Sequence, residues 1–322
     1  MPGLGVSLST FSRMPYADFA DLAREAEDSG FSAVFVPEAN NDAMMCCYAI
    51  AQATKKITLG TRIINIYLRS PLLCGAGAMM LQEQSDGRFV LGLGVGHRTL
   101  LKAVGIEMGN AREYLQRYMG LLTKVLKGES IPNIAYQFRA SPKRVPVYFA
   151  ALAIETARLG GELADGLMLY MCPPARMAKM IAAARASATK AGRQPADISI
   201  TMGLSVFLDD NLKDAYAAAK RDLAFYAGLD FYNRVWAASG FEKAAAECLT
   251  AARRGDRAGI SAAMTEPMID AVALAGPLSR CLERLREYRA SGAEMPVLVT
   301  HAVRGDYVSA LRQNLKAFAR AI

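Results

Sequence analysis

The chain carries two histidines, His97 and His301, and each stands at the end of a short apolar run, not on a helix face or in a tail. Histidine is the side chain most easily poised for proton transfer near neutral pH. A surface or capping histidine is the competing reading for both. Glu38 likewise follows an apolar run, AVFVP. Partial desolvation there would raise its pKa and suit it to acid/base work, whereas a carboxylate hydrogen-bonded to nearby backbone or helix N-termini has no such duty. The segment GLGVGH (Gly92–His97) is rich in glycine, but its third glycine is out of register with a dinucleotide fingerprint. No acidic ribose ligand ends a following strand either, so a nicotinamide Rossmann site is disfavoured. Gly94 and Gly96 are better read as letting the backbone turn tightly beneath a flat ligand.

These residues gain meaning from the elements that must hold them. Short β-branched or apolar runs alternate with helical patterns along the whole chain. The expected strands are 3–9, 31–37, 57–65, 89–94, 147–150, 166–170, 198–208 and 296–300. Between them lie helices such as 16–29, with Phe19, Leu22, Ala23 and Ala26 at helical spacing and Gly30 as the capping glycine. The stretch 228–274 reads as purely helical and interrupts the rhythm. Eight strands joined by right-handed crossovers predict a single α/β domain, a (β/α)₈ TIM barrel with a helical insertion before the last strand. In such barrels the active site lies at the C-terminal ends of the strands. That places Phe11, Glu38, Asn65, His97, Ala150–Ala153, Tyr170 and His301 around one mouth. Phe11, Tyr67, Tyr170 and His301 are candidates for contact with substrate, with packing as the alternative for the aromatic residues.

Composition narrows the classes. With 322 residues, 52% of them hydrophobic, the chain can bury a full barrel core. No window approaches a membrane span, and no secretory signal pattern opens the chain, so a soluble, cytoplasmic protein is expected. Six cysteines without a C-x-x-C pair, and two histidines, give no zinc-ligand spacing; reduced, buried thiols and no metal are expected. The formal charge of +8 could favour an anionic ligand, but no run of Lys/Arg interleaved with aromatics suggests nucleic acid. Loop 137–145, with Arg139, Lys143 and Arg144, reads as a solvated basic loop. After the fifth strand, Ala150–Ile154 runs into a helix whose free N–H groups could bind a phosphate.

Four segments together resemble the luciferase-like superfamily, and within it the branch of deazaflavin-dependent methylene-tetrahydromethanopterin reductases. They are LGTRIINIYLRSP (Leu59–Pro71), SDGRFVLGLGVG (Ser85–Gly96), PVYFAALAIETARLGGELADGLML (Pro146–Leu169) and MIDAVALAGPLSRCLERL (Met268–Leu285). The resemblance implies a third strand bulged at a non-proline cis peptide, Arg62–Ile63. It also implies that Arg62, Ile63, Ile64 and Asn65 back a flavin-type ring over Gly94 and Gly96. Glu38 and His97 would flank the ring's reactive face, and Ala150, Ala151, Leu152, Ala153 and Ile154 would receive the cofactor phosphate. The implied activity is hydride transfer between coenzyme F420 and a small substrate bearing a C=C, C=N or carbinol/carbonyl group. The proton donor would be His97, then Glu38, then His301. An FMN-dependent monooxygenase is the alternative, and a barrel that has lost redox chemistry a further one. A homodimer is the expected assembly. Three positions depart from the family pattern: Glu38-Ala39 replaces the usual Asp-His, His97 replaces an acidic residue, and Ala153-Ile154 replaces a Gly-Pro turn.

Overall fold

The computed structural model describes residues 3–9 and 14–320; Phe11, the first of the substrate candidates, lies outside them. Ten strands form one parallel sheet: β1 (Gly5–Ser7), β2 (Ala33–Val36), β3 (Thr58–Thr61), β4 (Ile64–Asn65), β5 (Phe89–Gly94), β6 (Val147–Ala151), β7 (Gly166–Tyr170), β8 (Ser199–Leu208), β9 (Ala273–Gly276) and β10 (Met295–Thr300). β4 continues the line of β3, and pairing of β10 with both β8 and β1 closes the barrel. Eight positions around the circle are thus filled, as expected.

Parallel strands buried on both faces read as unbroken apolar runs. β2 shows how the two faces divide. Ala33 and Phe35 join Val90, Met168 and Val297 in the barrel interior, while Val34 and Val36 join the layer beneath the helices. The helix Tyr16–Asp28 buries Phe19, Leu22, Ala23 and Ala26, the four residues that its spacing singled out. It ends in a Schellman motif: Phe31 N–H donates to Ala26 O and Gly30 N–H to Glu27 O, with Gly30 at φ 87°. Only glycine adopts that φ without a Cβ clash.

The insertion is helical over Asp230–Ala237, Glu242–Arg253, Arg257–Ala263 and Glu266–Asp270, but not to residue 274 as expected. Its last part is β9, which pairs Ala273–Gly276 with Ser205–Leu208. β8 is ten residues long and β7 reaches only Gly203, so the overhanging end of β8 offers an unpaired edge that β9 takes up. The insertion also builds a second core around Trp236, whose indole N–H donates to Met268 O at 2.9 Å. Among the described residues no helix is long and apolar enough to cross a membrane. All six cysteines are buried and free, and no cluster of three metal-ligating side chains occurs among the described residues.

Candidate active site

The site is built from the third strand upward. β3 pairs Gly60 with Val90, and β4 pairs Ile64 with Leu93, so four steps on this strand face three on β5. One extra residue is the signature of a bulge, which re-aims side chains at a barrel rim. The Arg62–Ile63 peptide within it is cis. Two glycines make room for it. A Cβ on Gly94 would lie 2.9 Å from Ile63 Cδ1, and one on Gly96 (φ 66°) 2.2 Å from Asn65 Nδ2. A side chain at either position would collide with the bulge, so both glycines help to seat it.

Glu38 locks the bulge from the other side. Its Oε2 accepts the Asn65 backbone N–H at 3.2 Å, and its Oε1 accepts Arg69 Nη2 at 2.9 Å. Arg69 also donates to Asp42 at 2.8 Å, and Asp42 caps the helix Ala43–Ala53 through Met44 N–H and Met45 N–H. Both Glu38 oxygens are engaged, Oε1 in the ion pair with Arg69 and Oε2 with the Asn65 N–H, which makes it a brace for the mouth. Asn65 Oδ1 in turn accepts the Tyr67 backbone N–H at 3.0 Å. Tyr67 is held in place by two contacts: its hydroxyl donates to Met108 O and its ring stacks on Tyr114, centroids 4.2 Å apart.

His97 stands just before the short helix Arg98–Ala103 and faces Tyr232 of the insertion, ring centroids 5.6 Å apart. Burial lowers its pKa below the ordinary 6.5, so the imidazole is neutral at pH 7. Tyr232 and Tyr226 join Tyr170 in a mutually packed aromatic group, with ring centroids of 4.8 Å between Tyr226 and Tyr232 and 5.6 Å between Tyr170 and Tyr226. Tyr170 shares a hydrogen bond with Ser205 Oγ at 2.9 Å. The insertion thus meets the end of β7 through Tyr232, with Tyr226 of the preceding helix packed beside it. His301 stacks on Phe207 at 4.5 Å, and its Nδ1 lies 3.1 Å from Asp222 Oδ2. His301, just past the end of β10, thus packs against β8 and the helix Leu212–Ala227 that follows it, with its Nε2 buried and unpartnered.

At β6 the chain leaves Ala150 and Ala151 in the strand, turns through Leu152, and enters the helix Ile154–Leu163. Ala153 occupies the N-cap position without a side-chain hydrogen bond, so the first N–H groups of this helix stay open. Arg176 donates to Leu152 O at 3.1 Å, while its Nε is buried with no acceptor. An uncapped helix start beside an unsatisfied guanidinium fits a phosphate. The basic loop does not contribute: Arg139, Lys143 and Arg144 pair with Glu83, Asp86 and Asp165. A depression bounded by Asp214, Arg221 and Arg304 adjoins the His301–Asp222 pair, its Arg221 donating to Asp222 Oδ1 and Ala302 O, and Arg304 there is neutralised by Asp209 and Asp214.

Sequence reasoning missed Tyr226, Tyr232, Asp222 and Arg176. The tyrosines sit in and beside an insertion whose packing against β7 no local pattern encodes. Arg176 follows a Pro-Pro pair at the end of a predicted strand, which is a usable signal for a rim position.

The model of the luciferase-like monooxygenase family matches residues 2–295. The 5,10-methylenetetrahydromethanopterin reductase of Methanolobus tindarius is 28% identical over 287 residues, 85% of this chain and 87% of that one. The structure of the coenzyme F420-dependent tetrahydromethanopterin reductase of Methanopyrus kandleri superposes with a TM-score of 0.79 at 20% identity, covering 99% of this chain and 98% of that one. The oxygenating constituent of 3,6-diketocamphane monooxygenase from Pseudomonas putida, solved with FMN, gives a TM-score of 0.70 at 16% identity, with 99% and 97% covered. The chain is an enzyme of the oxidoreductase class and belongs to the luciferase-like monooxygenase family.

Proposed function

We propose that the protein is an F420-dependent oxidoreductase acting on a small carbinol/carbonyl or unsaturated substrate. The observation that carries this reading is the pairing of a bulged third strand at the mouth with an open helix start at Ala153–Ile154, where Arg176 Nε lacks an acceptor. Ile63, Ile64 and Asn65 would hold the ring, and Arg176 with the N–H groups of the helix start would hold its phosphate. When bound, a deazaflavin supplies hydride transfer. The protein positions the reactants, excludes water and moves the proton. His97 is the group for that proton. Its neutral imidazole accepts one from a carbinol hydroxyl at neutral pH, and returns one to a carbonyl oxygen only once protonated at lower pH. Tyr226 and Tyr232 close the mouth against solvent. The reductase relative supports F420 before FMN, and the FMN-bound neighbour keeps a monooxygenase as the second reading. Consumption of oxygen during turnover separates the two: the first predicts none, the second one molecule per product.

A homodimer is the assembly we favour, since Met45, Leu73 and Met80 leave large apolar side chains exposed on adjacent helices. Sedimentation equilibrium tests it, and a mass of one chain at micromolar concentration argues against it.

A further inference from the structure

Arg88 and Arg62 are both without a carboxylate partner within ion-pair distance among the described residues, yet they differ in what they lack. Arg88 is fully satisfied: its Nε donates to Ser85 O, its Nη1 to Thr54 Oγ1 and Ile57 O, and its Nη2 to Ala51 O and Thr54 O. That is a guanidinium acting as a structural rivet. Arg62, on the bulge itself, donates from Nη1 to Thr201 Oγ1 at 2.9 Å and from Nη2 to Leu169 O at 2.6 Å. Its remaining N–H groups have no acceptor among the described residues, although the side chain lies deep in the mouth and keeps part of its surface open.

The surroundings are shaped for that fork. A Cβ on Gly203 would fall 2.7 Å from Arg62 Nη2 and 2.9 Å from Tyr170 Cδ2, so β8 yields space at this point. The neighbouring polar groups are the Tyr170 and Tyr232 phenols, which can donate a hydrogen bond but carry no charge at neutral pH. Burial without a counter-charge lowers the guanidinium pKa to about 10. A desolvated cation of this kind is costly until an anion joins it, and Arg presents two parallel donors to a carboxylate.

We propose that Arg62 receives the carboxylate of the substrate, so that the enzyme acts on small carboxylate-bearing molecules. The word substrate rests on the function proposed above; the anion site itself does not. The competing partner for Arg62 is an oxygen of the cofactor ring, and the test separates the two.

Calorimetric titration of crotonate, and of its neutral methyl ester, into the wild type, R62K and R62M provides the test, run with and without F420. The expected result is that crotonate binds the wild type and outcompetes methyl crotonate. R62M should weaken crotonate by roughly tenfold or more, R62K less, with F420 affinity changed by under about threefold. Equal crotonate affinity in wild type and R62M overturns the proposal. So does loss of F420 affinity in R62M with crotonate unaffected, which would give Arg62 to the ring. Should R62M not fold, the wild type decides: no preference for crotonate over its ester overturns the proposal. If F420 fails to bind the wild type, the cofactor reading falls, and the titrations without F420 still judge the anion site.

Discussion

His97 on the rim of β5 lies against Tyr232 of the insertion, their ring centroids 5.6 Å apart and their planes at 42°. The contact shields the imidazole and keeps it neutral at pH 7, since burial disfavours the charged form. In the oxidative direction His97 must be neutral to take a proton, so turnover should hold through neutral pH and fall only as the pH drops below 6.5. In the reductive direction the same titration should raise turnover as pH falls. H97Q should remove this limb from the pH–rate profile and slow turnover by about 10²–10⁴-fold. A profile unchanged in shape would exclude His97 from the proton transfer.

The same burial links His97 to stability. Its folded pKa lies below its unfolded value, so the unfolded chain binds the extra proton in the window between them, and stability declines as pH drops from 6.5 through the folded pKa. Urea titrations across this range should show a smaller decline in H97Q than in the wild type.

Glu38 should behave as a brace. E38A leaves the Asn65 N–H without its acceptor and the Arg69 guanidinium with Asp42 alone, and should cost about 1–3 kcal/mol of stability. E38Q keeps an oxygen for Asn65 and should retain the wild-type pH–rate profile. A pH limb that vanishes in E38Q but not in H97Q would reverse the two roles.

The bulge makes Gly94 a sensitive position. G94A puts a methyl 2.9 Å from Ile63 Cδ1 and 3.2 Å from Ala150 Cβ. Overpacking of this kind costs about 1–3 kcal/mol, and cofactor affinity should fall with it if the displaced Ile63 holds the ring as proposed. Thermal unfolding and a cofactor titration read the two effects together; full affinity in G94A would mean that Ile63 does not touch the ring.

Arg176 should report on the phosphate alone. Losing a charge-assisted hydrogen bond costs about 1.5–3 kcal/mol, roughly ten- to a hundredfold in affinity. R176M should therefore weaken F420 and FMN by that factor, yet leave the phosphate-free deazariboflavin nearly unchanged. Equal weakening of both forms would move Arg176 out of the phosphate site.

Much of this was legible from the chain alone. The eight barrel strands, the helix over Phe19–Ala26 and its glycine cap follow from period and turn chemistry, which act locally. Placing Glu38, Asn65, His97 and Tyr170 at one rim needed only the closed topology. What local patterns could not reach were side-chain choices among near neighbours. Glu38 resembles a buried acid until Arg69, thirty-one residues away, is seen to claim it. Tyr67 reads as a pocket aromatic, and its stacking on Tyr114 comes from the fold. The β9 strand resembled helix because its small residues, ALAG, carry little strand preference; the free edge of β8 decides it.

The central claim is that this mouth holds a deazaflavin ring, and the direct measurement is a fluorescence titration of F420 beside one of FMN on the purified protein. Saturable binding of F420 at micromolar concentration, tighter than that of FMN, is the predicted result. Binding of neither ring at such concentrations, or a clear preference for FMN accompanied by oxygen consumption, would contradict it.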